Sequence, residues 1–144
     1  IINLESHTKA SAIHELIERA HISPAAAVEE IEDSVMTREE VMTTGFGRGV
    51  AITHGESTSL ERVAIALGLS EEGIDYEAMD EMPVHILFVV VNPVEEEMGY
   101  LSVLATLTAM LRDADIRNRL KCCTCVGEVE KTLQDGISQY DRAG

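Results

Sequence analysis

Basic residues are scarce in this chain. Of its 144 residues, 11 are Lys or Arg and 26 are Asp or Glu, so the formal net charge is −15 at pH 7. Nucleic-acid binding depends on Lys and Arg side chains that neutralise phosphates, and this composition argues against it. An acidic surface favours a partner with a basic surface and an encounter whose rate depends on salt. The alternative interpretation is that the acidity only keeps the protein in solution.

Long hydrophobic runs are absent. The longest, residues 86–91, is far shorter than the roughly 20 apolar residues of a membrane-spanning helix. No signal peptide is recognisable at the start, so we expect a cytoplasmic location, alone or within a membrane-associated transport complex. The length predicts one domain over residues 1–144, with a substantial core. The first residue is Ile1 and not Met, so we expect a chain that is trimmed or cut from a longer protein.

Cysteine is limited to three clustered residues, Cys122, Cys123 and Cys125. An odd, clustered count is not typical of a secreted disulfide framework. A zinc site requires paired ligands at C-x-x-C-like spacing and a fourth ligand, which this cluster does not offer. We therefore predict reduced thiols that pack as small hydrophobic groups, and neither a metal nor another cofactor.

Glycine is concentrated in residues 43–55, which read TTGFGRGVAITHG. Gly45, Gly47 and Gly49 give the backbone unusual freedom and allow another group to approach bare amides. Residues 50–52 predict a short buried strand, with His54 just past its end. A histidine beside exposed amides suits acyl or phosphoryl transfer. The alternative is a glycine turn before a core strand, with His54 as a surface residue, and the spacing alone favours it.

Hydrophobic spacing predicts helices on either side of a group of strands. Apolar residues at i, i+3, i+4 and i+7 predict a helix over residues 8–20. Ser23 and Pro24 predict the cap and first position of a second helix that ends near Met36. The remaining predictions are strands over residues 50–52, 62–67 and 84–91, a loop over 70–83, and helices over 100–112 and 127–134. This order is typical of an α/β sandwich in which helices cover a small sheet.

The glycine segment resembles the active-site signature R-E-x-x-x-T-G-I-G-x-G-I-A-I-P-H-G of the fructose–mannitol type of enzyme IIA in the bacterial sugar phosphotransferase system. This family includes nitrogen-regulatory IIA proteins. Arg38 and Glu39 match the opening of the signature, and His54 and Gly55 match its end. Further blocks that resemble the family are AIALGLSEEGIDYEAMD, PVHILFVVVNP, and residues 101–111 and 113–120. The resemblance implies a small mixed sheet covered by helices on both faces, a three-layer sandwich.

This resemblance also implies a function. His54 is expected to accept a phosphoryl group from phospho-HPr, usually on Nε2, and to pass it to a cysteine or histidine of a IIB domain. Its unperturbed pKa of about 6.5 suits reversible transfer. Arg38 matches the site arginine, whose guanidinium binds a phosphoryl group in a bidentate manner; the alternative is a surface ion pair. Arg48 falls at a variable position and is a candidate partner contact.

Smaller groups in the signature have two interpretations. Thr44 is a candidate hydroxyl donor to the phosphoryl group, and Gly45, Gly47 and Gly49 are candidate amide donors. The alternative is that these residues serve turn geometry alone.

Three positions depart from the family pattern. Thr53 replaces the proline before the active histidine, which relaxes a local backbone constraint. Tyr100 stands where many members have a second histidine, and its hydroxyl can bond a phosphoryl oxygen but brings no positive charge. His85 replaces an acidic residue, and we expect a structural role for it. These departures keep three functions open: a transport phosphocarrier, a regulatory module controlled by phosphorylation, and a relative that no longer accepts phosphate.

The other histidines follow a different pattern. His7, His14 and His21 recur every seven residues, so neighbouring sites along a helix are about 10 Å apart. One metal ion cannot bridge that distance. We therefore predict a solvated helix edge.

Overall fold

The computed structural model describes residues 3–41, 45–95 and 97–143. Within these residues, five α-helices and four strands follow one another: α1 (Lys9–Ala20), α2 (Val28–Val41), β1 (Gly45–Gly47), β2 (Val50–Ser57), β3 (Ala64–Ile74), β4 (Val84–Pro93), α3 (Glu97–Met110), α4 (Ala114–Lys121) and α5 (Val126–Ala143). No helix within the described residues is both long and apolar enough to cross a membrane.

The first helix matches its prediction, and the start of the second does not. Thr8 caps α1, since its side chain accepts a hydrogen bond from the Ser11 amide. Ser23 does not act as a cap; its buried hydroxyl has no partner among the described residues. A single 3₁₀ turn after Pro24 precedes α2, which then runs on to Val41. The predicted end near Met36 is therefore too early.

The four strands form one mixed sheet in the order β1-β2-β4-β3. Strand β2 pairs in parallel with β4 and antiparallel with β1, whereas β3 pairs antiparallel with β4. Pairing with β4 carries β2 well past Ile52, so His54 lies inside the strand and not beyond its end. Strand β3 continues to Ile74 through an irregularity in register after Leu69. The predicted loop over 70–83 is thus reduced to residues 75–83.

Helices cover both faces of the sheet. Buried residues of α1 and α2 pack on one face, and those of α3 and α4 pack on the other, with α5 contributing partly buried side chains. Strand β4 is buried along nearly its whole length because it lies between these two layers. The predicted three-layer α/β sandwich is confirmed. Within the predicted helix over residues 100–112, Leu107 and Leu111 are core residues, whereas Leu101 is 48% exposed.

Candidate functional site

His54 is nearly buried in strand β2, level with Val90 of β4. Its exposed fraction is 5%. Successive strand residues face opposite sides of a sheet, and His54 shares its side with Val50 and Ile52, which pack into the core below α3 and α4. The interpretation of His54 as a surface residue is therefore wrong.

Tyr100, in the first turns of α3, covers the His54 ring. The two ring centroids are 3.7 Å apart and the ring planes differ by 14°, which is a stacked arrangement. A nearly parallel contact at this distance restricts the rotation of both rings. Tyr100 thus lies beside His54, as the resemblance implies for the residue at this position. The two side chains meet face to face.

Arg38 acts on both rings from the last turn of α2. Burial, and secondly the positive charge of Arg38, lower the pKa of His54 from 6.5 to about 4. Burial also raises the pKa of the Tyr100 hydroxyl, against the opposing effect of Arg38. At neutral pH the imidazole is therefore uncharged with a free nitrogen lone pair, and the tyrosine keeps its proton.

Gly55 allows α2 to approach β2 closely. A Cβ atom at Gly55 would lie 2.7 Å from Val35 Cγ2, which is closer than real contacts allow, and a tight 3.3 Å from the Ile31 carbonyl oxygen. Beside it, the Glu56 amide donates to Ser34 Oγ at 2.9 Å. Arg38 lies one helical turn after Ser34. This close packing brings the end of α2, and with it the guanidinium, near His54.

The end of α2 is fixed by a buried carboxylate, Glu39. Its Oε1 accepts a hydrogen bond from the hydroxyl of the fully buried Tyr76 at 2.9 Å. Its Oε2 lies 3.3 Å from Lys9 Nζ at the start of α1, and Lys9 also lies 5.0 Å from the centre of the Tyr76 ring. Because a buried charge is stable only when it is paired and hydrogen-bonded, this network restrains the turn that carries Arg38.

Sequence reasoning identified Glu39 only as part of a signature. A signal for its burial was present: Ile31, Val35 and Glu39 are spaced by four residues, so they share one helix face. The first two are core residues. A charged residue that continues a buried stripe requires partners. No pattern in the sequence identifies those partners as Tyr76 and Lys9.

The glycines of the signature divide between two regions. Gly47 and Gly49 have φ of 101° and 78° and form the tight β1–β2 turn with Arg48 between them. The Arg48 amide donates to Asp80 Oδ2 at 3.0 Å. Gly49 lies five residues before His54 on an extended strand, about 16 Å away. These two glycines therefore support turn geometry and are not amide donors beside His54.

The other signature residues have three different placements. Gly45 pairs with Ala51 in the sheet, three residues and about 10 Å from His54 along the strand. Thr44 lies outside the described residues. Thr53 is fully buried and faces the side of the sheet opposite His54. Its hydroxyl finds no hydrogen-bond partner among the described residues, so it contributes to the strand and not to the surroundings of the imidazole.

The remaining histidines and the cysteines lie apart from this site. His85 Nδ1 donates to the Ser70 carbonyl oxygen at 2.8 Å, as expected of a structural residue. His14 pairs with Glu32 and Glu18, and this pairing raises its pKa. The thiols are free, with Cys123 buried and its two neighbours in the cluster exposed.

Comparison with known proteins agrees with this fold. The family model described as "Phosphoenolpyruvate-dependent sugar phosphotransferase system, EIIA 2" matches residues 1–136. The fructose-specific EIIABC component of Bacillus subtilis (strain 168) is 30% identical over 98% of this chain, which spans 22% of that protein. The fructose-specific EIIA component of Haloferax volcanii is 31% identical over 96% of this chain and 90% of its own length.

Solved structures give the same result. The nitrogen regulatory protein IIA-Ntr from Neisseria meningitidis superposes with a TM-score of 0.79 at 28% identity, over 92% of each chain. The complex of IIAMtl with phosphorylated IIBMtl from Escherichia coli contains a chain with a TM-score of 0.74 at 21% identity, covering 93% of this chain and 94% of that one.

These matches define a phosphotransfer protein of the phosphoenolpyruvate-dependent sugar phosphotransferase system. Within that system the chain belongs to the EIIA type 2 family, in which its relatives include both sugar-specific EIIA proteins and nitrogen regulatory proteins.

Proposed function

We propose that His54 carries the phosphoryl group, accepts it from phospho-HPr and passes it to a IIB component in sugar uptake. The observation that supports this assignment is the uncharged, nearly buried imidazole stacked on Tyr100 within the field of Arg38. A neutral imidazole is the nucleophilic form. A ring held in one orientation also loses less entropy when it reacts.

The proposed step is a direct exchange between two histidines. A lone pair on a ring nitrogen of His54, Nε2 by resemblance, attacks the phosphorus of the donor phosphohistidine. A nitrogen–phosphorus bond forms at His54 while the donor's nitrogen–phosphorus bond breaks, and that electron pair returns to the donor ring. Arg38 stabilises the negative charge of the group in transfer through bidentate hydrogen bonds. No cofactor enters this step.

Tyr100 has a positioning role in this proposal. Its ring holds the imidazole by stacking, and its protonated hydroxyl is a hydrogen-bond donor for a phosphoryl oxygen. It supplies no positive charge. Stabilisation of the phosphoryl group then depends on Arg38 more strongly than in a site with a second histidine.

The charge of the chain supports the proposed partners. With a net charge of −15, the chain favours a donor that docks through a basic surface, as HPr does by resemblance. IIB is the proposed acceptor, since the Escherichia coli IIAMtl relative is known in complex with phosphorylated IIBMtl. We place this reaction in the cytoplasm, with residues 1–144 acting as one domain, alone or within a longer transport protein.

Phosphorylation in a reconstituted system tests the assignment. The protein is incubated with phosphoenolpyruvate, enzyme I and HPr, and its intact mass is measured before and after acid treatment. We expect one acid-labile phosphoryl group, which His54→Ala abolishes. The exposed His7 offers a matched control, and His7→Ala is expected to react as the parent does. A phosphoryl group that survives His54→Ala excludes the proposal.

A second candidate is a regulatory module whose phosphorylation controls binding to a transporter, kinase or transcription regulator. It is favoured by Tyr100 in place of a second histidine and by similarity to nitrogen regulatory proteins. A phosphoryl group adds charge and acceptors, which is enough to form or break an interface. Rapid onward transfer from phosphorylated protein to a sugar-specific IIB counts against this role, whereas stable phosphorylation with altered partner affinity supports it.

A further inference from the structure

A cavity of about 520 Å³ lies near the opposite end of the sheet from His54. It lies between β3, the start of β4 and the end of α4, and its lining includes Leu69, Ser70, Glu71, His85, Lys121 and Cys122. His85 is five residues before Val90, the partner of His54, so the two histidines are about 16 Å apart along the sheet. The cavity is thus separate from the proposed phosphorylation site.

Two polar side chains come within van der Waals distance of the same point in this region. A Cβ atom at Gly49 would lie 3.6 Å from His85 Cδ2 and 3.8 Å from Lys121 Nζ. Gly73 brings a second bare α-carbon to the histidine, since its Cβ position is 3.4 Å from His85 Nε2. Both glycines have positive φ, which disfavours a larger residue at either position. At Gly49 the missing side chain leaves space beside the ammonium and the imidazole, whereas the Gly73 position lies 2.8 Å from Pro83 Cβ and is closed.

The chemistry of the cavity follows from these two groups. Because the Ser70 carbonyl oxygen accepts from His85 Nδ1, the neutral ring has its free lone pair on Nε2. A nitrogen with a free lone pair is an acceptor for a hydroxyl group. Lys121 is an exposed cation, the type of group that pairs with an anion. Glu71 is the one carboxylate among the described lining residues, and its side chain is exposed.

We propose that this cavity binds a small anion that carries hydroxyl groups, of the sugar-phosphate or hydroxy-acid class. Lys121 pairs with the anionic group, and His85 Nε2 accepts from a hydroxyl. Leu69 and the buried Cys123 provide an apolar wall. A volume of about 520 Å³ falls within the range of small-molecule sites, roughly 300–1,000 Å³. The proposal does not depend on phosphoryl transfer at His54.

The cysteine cluster offers a local readout of binding. Cys122 and Cys125 are both exposed, but only Cys122 is among the described residues that line the cavity. Iodoacetamide modification of each thiol is followed by fragment-ion mass spectrometry, with glycerol 3-phosphate and glycerate as probes. We expect one or both probes to slow modification of Cys122 in a saturable way and to leave Cys125 unchanged. If glycerol 3-phosphate protects Cys122 at the lower concentration, the cavity prefers a phosphate; if glycerate does, it prefers a carboxylate.

Matched probes and variants complete the test. Lys121→Gln is expected to weaken protection about tenfold, because a hydrogen bond to a charged group is lost. Lys131→Gln removes the same charge from an exposed position on α5 outside the described cavity lining and is expected to have no effect. Protection of both thiols alike, equal protection by inorganic phosphate or by glycerol, or an unchanged response in Lys121→Gln would overturn the proposal.

Discussion

The two ends of β2 carry the two parts of one continuous signature, and they are built differently. At the start, Gly47 and Gly49 turn the chain with positive φ, and the Arg48 amide is held by Asp80. Near the far end, His54 is nearly buried beneath Tyr100 and lies in the field of a guanidinium. Residues that are neighbours in the motif are therefore separated in space, because an extended strand advances about 3.3 Å per residue.

The comparison shows that glycine has two uses within one signature. In the β1–β2 turn it permits a backbone conformation that other residues adopt at a cost. At Gly55 it permits close packing of α2, because any side chain would collide with Val35. The first use shapes a turn, and the second brings Arg38 to the histidine. Substitutions at the two ends of β2 should accordingly change different properties of the protein.

The largest expected difference between the two ends concerns their arginines. Arg38→Gln should reduce the rate of phosphoryl transfer to His54 about 100-fold, because one preorganised charge is lost from the transition state. Arg48→Gln, in the turn, should leave the rate at saturating donor unchanged. Quench-flow measurement of phosphorylation by phospho-HPr tests the pair. Equal rates for the two variants would show that the proximity of Arg38 to His54 has no role in transfer.

The next difference concerns packing. Gly55→Ala should lower the free energy of unfolding by about 1–3 kcal/mol, the usual cost of overpacking. Gly127→Ala is the matched control, because nothing lies within 4 Å of its Cβ position on α5; it should be neutral or slightly stabilising. Urea denaturation of both variants measures the effect. If Gly55→Ala is as stable as the parent, then α2 is not held against β2 as described.

The third prediction concerns the pH dependence of stability that results from the buried imidazole of His54. The pKa of His54 is about 4 in the folded chain and 6.5 in the reference state, so between these values the unfolded chain binds more protons. Stability should therefore be fully present above about pH 6.5 and should fall as the pH drops toward 4. Relative to His54→Gln, the parent should lose about 1–3 kcal/mol between pH 7 and 4.5. Identical pH profiles for the two proteins would contradict burial of a neutral imidazole.

The smallest expected effect tests the Tyr100 hydroxyl apart from the Tyr100 ring. Tyr100→Phe keeps the stacked ring and removes one neutral hydrogen bond, so transfer should slow by only a few-fold. Tyr100→Ala removes the stack as well and should have the larger effect on transfer and on the pKa of His54, which NMR titration of the imidazole reports. A rate for Tyr100→Phe as low as that for Tyr100→Ala would assign the main role to the hydroxyl.

Much of the fold was predictable because it depends on local spacing. The helical repeat of α1 and the unbroken apolar run of β4 are visible in the sequence, and each becomes one element. Element ends were less predictable. Strand β2 continues through Thr53 and His54 because pairing with β4 holds it extended, although neither residue has an apolar side chain. Strand β3 likewise passes the polar residues that predicted a loop.

The candidate site was predictable in part. His54 and Arg38 were identified by their match to a signature, and Tyr100 by its match to the position where many members of the family have a second histidine. The restraint of Arg38 through Glu39 could not be predicted, because Tyr76, which bonds Glu39, lies 37 residues further along the chain. Hydrophobic spacing predicts which face of an element is buried, but it does not determine which distant side chain will meet a given carboxylate.

The sequence by itself determined the layered α/β class, the order of the predicted helices and strands, and the residue types available for phosphoryl chemistry, since these follow from local patterns of side chains. Strand β1 and helix α4 were not among the predicted elements. Only the tertiary structure decided that one end of the signature became a turn and the other a site. It also decided the charge state of the site. His54 is an ordinary imidazole in the unfolded chain, and its pKa falls to about 4 only when folding buries it beside Arg38. Burial and a neighbouring charge arise from long-range contacts, and no local pattern contains them.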